Sequence, residues 1–436
     1  MQQLEGMKDS RTAIANGSHG YLFEALINQA IDKNVRSHEI STVNDFLADL
    51  AREIHLRNGS PISFGGVDNI INSFLAELVE IDSKRLLKEL YDARILIEDG
   101  GTLRFRYPYL FYYYLAKWIC DRCGEDNSGQ ALDELISLIH TERSSNVLVF
   151  VAHLKHEKPV IERLIPLVES LFSDSSECEF SSYSSLLLRF RTNTQRAYLL
   201  QGPAHQVSDE THGREDRIDT NRGAQDENNV EDSLKLNTTL KAINTLGQIL
   251  KSRATSLPAD QKVKIAEAMI STSRRLMSFL YDLIQDNAEE IVHSTSSAFE
   301  ESFKIDRQQA VTIANSMIGV IVCGIARLCV SRSADAIASS ELKPLLLKLE
   351  QSEIDQETQL IILVARIIGD KTYPKEDVED FIKSLKSSNV IPVSVLSAAV
   401  ARRFYLEPPE RGIRDSACKL LGIDVRKLPG GSRSHA

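Results

Sequence analysis

The side chains of this chain that could do chemistry gather in one stretch and its continuation. Arg104 and Arg106 flank Phe105 just after a Gly100–Gly101 pair, Tyr107, Tyr109, Tyr112 and Tyr113 follow, then come Trp118 and a CxxC formed by Cys120 and Cys123. Two arginines at this spacing could hold phosphate or carboxylate groups through paired hydrogen bonds. The tyrosines and Trp118 could anchor an interface, because each ring offers a large apolar body with a polar edge. A CxxC could bind zinc or cycle as a disulfide. Zinc wants a second pair at matching spacing, which the sequence lacks, so ordinary reduced thiols are the expectation and metal or redox use the alternatives. His153 and His156, within HLKHEK, lie three apart and could share a metal. No third and fourth ligands accompany them, and a solvated helix end is the plainer reading. A Cys120–His153 nucleophile pair would need the fold to bring the two together. Gly100–Gly101 reads as a hairpin turn before it reads as a phosphate cradle. The phosphate-binding string GxxxxGK[ST], whose backbone amides and lysine grip a triphosphate, does not occur. No catalytic residue, cofactor or metal is expected.

Composition bounds the remaining classes. The chain has 436 residues, 42% hydrophobic and 26% charged, as in an ordinary soluble folded protein. Its length allows for about two to four domains. The 51 basic and 61 acidic residues give a net charge of −10, so the chain as a whole gains little attraction to phosphate backbones. A local basic face stays open. Six cysteines are few for this length, and the opening MQQLEGMKDS holds no apolar signal stretch. A cytoplasmic protein is expected. The run VTIANSMIGVIVCGIARLCV at Val311–Val330 approaches the length of a membrane span. Asn315 and Arg327 lie within it, and Ala314, Ser316, Gly319 and Gly324 suit close helix packing. A buried central helix is therefore the reading, with a membrane helix as the alternative.

The elements that must position these residues follow from periodicity. Residues 1–19 read as a flexible N-terminus. A helix begins near Gly20, and a second spans Val43–Arg57 with Thr42 as cap and Phe46, Leu47, Leu50 and Ile54 as its apolar stripe. The block Asp68–Val79 and a helix capped by Ser83 come next. Ile95–Ile97 and Leu103–Phe105 are strand-like around the Gly100–Gly101 turn. Three helices and a small hairpin are the order of a winged helix, assigned to residues 20–124. Pro108 suits the first turn of the aromatic helix. Residues 125–200 read as a helical extension. Residues 201–233, poor in large apolar side chains, read as a disordered linker. Residues 234–406 form a C-terminal helical domain of stacked hairpins, and 407–436 a peripheral tail with a short helix near Ser416–Leu421. Pro344 inside the run Ile337–Leu349 predicts a kink or split. The fold class is mainly α, with a small β-hairpin in the N-terminal module.

GSHGYLFEALI at Gly17–Ile27, the helix–hairpin block at Val43–Phe105, FRYPYLFYYYLAKWI at Phe105–Ile119 and NVLVFVAHLKHEKPVIERLIPLVESLF at Asn146–Phe172 carry a resemblance. They resemble the end of the NTPase core, the winged helix and the helical region after it in signal-transduction ATPases of the STAND type. These are large multidomain switches that include many bacterial anti-phage proteins. The resemblance implies a winged helix that packs on a nucleotide domain and relays its state, and later helices that sense or recognise partners. Some members place a winged-helix histidine near the nucleotide phosphate; His19 and His38 do not match that position, so neither takes that role. Without the phosphate loop, the resemblance implies the C-terminal portion of such a switch, whether a split-gene product, a truncated gene model or a separate subunit. Its function would be regulatory and non-catalytic, in antiviral defence. Its partner would be a protein or the missing ATPase domain, reached through Arg104, Arg106, Tyr107, Tyr109, Tyr112, Tyr113 and Trp118. Self-association stays open; DNA and membrane are not expected partners. Two other readings remain: a DNA-binding regulator using Arg104 and Arg106 on the wing, against which Glu98 and Asp99 weigh, and an enzyme whose site is assembled from distant residues.

Overall fold

The computed structural model describes residues 20–35, 40–57, 60–63, 83–121, 125–183, 185–186, 227–351, 354–385 and 390–423. The expected flexible N-terminus, the Asp68–Val79 block, the linker up to residue 226, Cys123 and the end of the tail lie outside them. The protein is mainly α-helical, with a small antiparallel sheet near the N-terminus followed by long helical arrays. It divides into two compact units, Met1–Leu164 with Lys251–Arg253, and Ile165–Leu250 with Ala254–Ala436.

The first unit opens with α1 (Gly20–Asn34) and α2 (Ile40–Leu56). α2 starts ahead of the expected Val43, so Thr42 lies inside its first turn and is not its cap. The apolar period of Phe46, Leu47, Leu50 and Ile54 fixes the helix interior but not its first turn. The strand β1 (Ile62–Ser63), helix α3 (Ser83–Asp92) and strands β2 (Leu96–Asp99) and β3 (Thr102–Phe105) follow. The sheet order is β1-β3-β2, with Ile62 opposite Leu103 and Leu96 opposite Phe105. Gly100 and Gly101 take φ of 59° and 80°. Positive φ at both central residues is what the tight two-residue hairpin turn demands, and glycine supplies it without steric cost. β2 begins one residue later than expected, because Ile95 belongs to the exit of α3. There the Ile95 N–H closes on the Leu90 carbonyl, while the Ile95 carbonyl accepts from the Arg106 N–H at 2.9 Å.

The period of 2 sets the faces of β3: Leu103 and Phe105 are buried and Arg104 is exposed. Helix α4 (Pro108–Asp121) starts at Pro108, whose missing N–H costs nothing in a first turn. Helices α5 (Glu125–Ser137) and α6 (Glu142–Val151), a π-helical turn at Ala152–His156, and α7 (Glu157–Ser170) continue the chain. α4 packs on α2 and α6. Tyr114, wholly buried, donates its hydroxyl to Asn44 Oδ1 at 2.9 Å, and Asn44 Nδ2 donates to Asn28 at 3.1 Å.

The second unit is a helical array. It contains α8 (Glu227–Ser252, its last turn counted with the first unit), α9 (Ala259–Asp286), α10 (Ala288–Phe303), α11 (Arg307–Ile337), a 3₁₀ turn at Ser340–Leu342 and α12 (Lys343–Glu350). The remainder is α13 (Gln356–Gly369), α14 (Lys375–Ser384), α15 (Val390–Leu406) and α16 (Arg411–Leu421). α8 begins inside the stretch read as linker, because the apolar period at Leu240, Ile243 and Leu246 carries the helix back into polar sequence. The run through Pro344 is split: α11 ends at Ile337, and Pro344 sits in the first turn of α12.

α11 is central, packing on α9, α10, α13 and α15, and its first turn is capped by Asp306, whose carboxylate accepts from the Gln309 N–H at 2.9 Å. It is long and apolar enough to cross a bilayer, but it is only partly the buried helix expected. Ala310, Ala314, Ile318 and Val322 face inward, while Ile313, Met317, Val320 and Ile321 are exposed. Its C-terminal end meets two glycines closely. A Cβ on Gly247 of α8 would lie 2.6 Å from the Ala336 Cβ, and one on Gly369 of α13 would lie 2.7 Å from the Ser339 nitrogen.

Candidate functional site

The sheet, the hairpin turn and the start of α4 place the sequence-predicted residues in three settings. Arg104 is exposed on the outer face of β3, and its guanidinium pairs with the Asp99 carboxylate at 3.0 Å across the hairpin. Its charge is thus met on the wing itself. Phe105 turns inward, with its ring 5.8 Å from Tyr114 and 6.1 Å from Phe111.

Arg106, Tyr107 and Tyr109 form a stack. The Arg106 guanidinium lies 5.7 Å from the Tyr107 ring centre, and its Nε donates to the Tyr107 hydroxyl at 3.4 Å. The Tyr107 and Tyr109 rings are 5.3 Å apart and 7° from parallel. All three are half-buried. Partial burial and the neighbouring Tyr107 hold the Tyr109 hydroxyl well above the usual phenol range, so it stays a neutral donor. A cation on a ring, itself laid on a second ring, is a preorganised surface. It offers donors to a carboxylate or phosphate and an apolar face to a partner side chain.

The other candidates do not join this stack. Tyr113 is 1% exposed, edge-on to Tyr114 at 5.1 Å and to Phe150 at 5.9 Å, and so belongs to the core. α4 is apolar on nearly every side, so spacing alone could not show which tyrosine faces out. Tyr112 is half-buried with its ring 5.8 Å from Phe111. Trp118 is half-buried further along, under the Arg52 guanidinium at 5.2 Å. Arg52 was missed, since nothing local in the sequence links α2 to Trp118. The buried Asn44–Tyr114 bond had a legible trace: Asn44 interrupts an apolar period.

The cysteine and histidine chemistry does not assemble. The Cys120 thiol faces the Val151 carbonyl at 3.9 Å. Among the described residues no group of His, Cys, Asp and Glu could hold a metal ion. His153 is no solvated helix end: it is buried in the π-helical turn, where Arg253 Nη2 donates to the carbonyls of Ala152 and His153 at 3.2 and 2.7 Å. Burial, then the nearby Arg253 charge, pushes the His153 imidazole down from 6.5 to about 4. The folded state therefore binds this proton less readily than the unfolded chain. The stability it supplies is present above pH 6.5 and is lost as the pH falls from 6.5 toward 4. With allowance for solvent screening, we expect a loss of about 2 kcal/mol. Denaturant unfolding of the full chain across that range should show this slope, and His153→Gln should flatten it.

A family model described as Novel STAND NTPase 4 matches residues 61–115. The chain is loosely linked to the STAND NTPases. That segment runs from β1 through α3 and the hairpin into α4, and so contains the Arg106–Tyr107–Tyr109 stack. No curated protein and no solved structure matches the chain.

Proposed function

We propose that the chain is a non-catalytic relay and protein-interaction module of a STAND-type ATPase switch, engaging a nucleotide-binding domain or another protein partner through the winged-helix unit. The observation that carries this reading is the half-exposed Arg106–Tyr107–Tyr109 stack within the matched segment. Three side chains already held against one another lose little entropy on docking, and Tyr and Arg are the residue types that anchor interfaces. The stack is also coupled to the core. Arg106 is bonded through its backbone to Ile95, and Phe105 beside it stacks on Tyr114, which reaches Asn44 of α2. A partner pressing on the stack therefore bears on the packing of α2 and α4.

The absence of the GxxxxGK[ST] string supports a relay over an ATPase. On the wing, Arg104 is paired with Asp99 across the hairpin, which weakens its use against duplex phosphates.

The test is co-purification and titration of the chain with the product of the reading frame immediately upstream. We expect Arg106→Ala with Tyr107→Ala to weaken that association at least tenfold, about 1.4 kcal/mol, without moving the thermal unfolding midpoint. Unchanged association in the double variant, or micromolar ATP binding by the chain alone, would sink the reading.

A further inference from the structure

The hairpin of α10 and the first half of α11 carries apolar surface that none of the described residues covers. α10 lies along α11, yet Ala288 and Ser296 are its buried side chains. On α11, Ile313, Met317, Val320 and Ile321 are 41, 45, 47 and 51% exposed. Their spacing aligns them on one helix face, and Gly324 continues it. Phe303, beside Phe299 at 5.6 Å, is 66% exposed at the hairpin tip. No charged side chain occurs from Gln308 to Ala326. A lone exposed leucine needs no explanation, but a continuous uncharged face with several large side chains does.

Gly324 adds an independent observation. Gly247 and Gly369 are each pressed against another main chain, whereas a Cβ at Gly324 would meet nothing within 4 Å. Glycine in mid-helix weakens the helix, and at Gly324 no close approach among the described residues is gained in return. A second helix approaching this face would make use of it.

We propose that the α11 face is covered by the same face of a second copy of the chain. The two α11 helices cross near Val320 and Gly324, and the two hairpins close into a four-helix bundle about a two-fold axis. Area favours this occupant. Phe303, Ile313, Met317, Val320 and Ile321 leave on the order of 500 Å² of apolar surface in water, near the upper end for one patch on a monomer. Pairing two copies buries roughly 1,000 Å², enough for a specific but reversible dimer and too little for an obligate one. Charge favours it as well. A two-fold contact sets identical residues against each other, and the Gln308–Ala326 stretch of α11 carries no charge to repel its twin.

The same facts disfavour a bilayer. The inner side of α11 is tied by hydrogen bonds from Tyr281 Oη to the Val322 carbonyl, from Ser273 Oγ to the Cys329 carbonyl and from Arg327 to Ser394 Oγ. A spanning helix would forfeit all three. The proposal uses no residue of the winged-helix unit, so it fails or stands apart from the relay reading.

Sedimentation equilibrium of the full chain from about 1 to about 200 µM tests it. We expect a monomer–dimer equilibrium with a dissociation constant on the order of 10 µM. Met317→Glu and Gly324→Leu should each raise that constant at least tenfold while the unfolding midpoint of the monomer holds, since both side chains project into open space. A single-chain mass throughout the range, or a dimer indifferent to both substitutions, overturns the proposal. Co-sedimentation of a monomeric chain with phosphatidylcholine–phosphatidylserine vesicles, abolished by Met317→Glu, replaces it with a lipid surface.

Discussion

Replacing Tyr114 with alanine should destabilise the first unit by about 4 kcal/mol, the upper range for deleting a buried aromatic ring. Tyr114 has no exposed surface. Its ring stacks on Phe105 of β3 at 5.8 Å and meets Tyr113 edge-on at 5.1 Å. The cavity would open where β3, α2 and α4 converge. A second cost adds to the first, because Asn44 Oδ1 loses the hydroxyl that satisfies it at 2.9 Å. Tyr114→Phe isolates that part and should cost about 1–2 kcal/mol. Urea unfolding of both variants, followed by the fluorescence of Trp118 in the same unit, measures the two terms. Equal losses in the two variants would show that the ring packing contributes little.

In the second unit the largest expected loss comes from Arg274→Met. Arg274 is 5% exposed and reaches Glu177 at 2.5 Å, Asp355 at 2.7 Å and the Cys178 carbonyl at 3.2 Å. It therefore ties the segment after Phe172 to α9 and to the start of α13. Removing one partner of a buried ion pair costs roughly 3–5 kcal/mol. Glu177 and Asp355 are 41 and 44% exposed and can recover water, so the lower end, about 3 kcal/mol, is expected. Arg274→Lys should restore little, since an ammonium cannot fork between two carboxylates and a carbonyl. Thermal unfolding of both variants, with hydrogen exchange at Cys178 and Phe180, would check this. Wild-type exchange at those amides in Arg274→Met would sink the argument.

The elements with local signatures were legible. Gly100–Gly101 announced the hairpin because two successive positive φ angles select glycine, Pro108 marked a helix start because a ring without an N–H belongs there, and Pro344 marked the split of its run, because it cannot continue a helix. The apolar period of α2 was plain. β1 was missed because two residues show no alternation. α10 was missed because AEEIVHSTSSAFEESF carries no apolar stripe and several weak helix formers. At the candidate site, the sequence picked out Arg106, Tyr107 and Tyr109 as residue types but could not show that they stack. It could not sort Tyr113 from its neighbours on a helix that is apolar nearly all round. The Arg274 clamp joins residues far apart in the chain, and no periodicity reports such a meeting.

The two glycines at the C-terminal end of α11 have a mechanical consequence. Gly247 and Gly369 let the neighbouring main chains come within van der Waals touch of Ala336 and Ser339, so that end is clamped from two directions. A rod gripped in this way behaves as a lever with a fixed fulcrum: it cannot slip lengthwise or roll without collision. Any displacement imposed on α11 must therefore be taken up toward its other end, where it packs on α10.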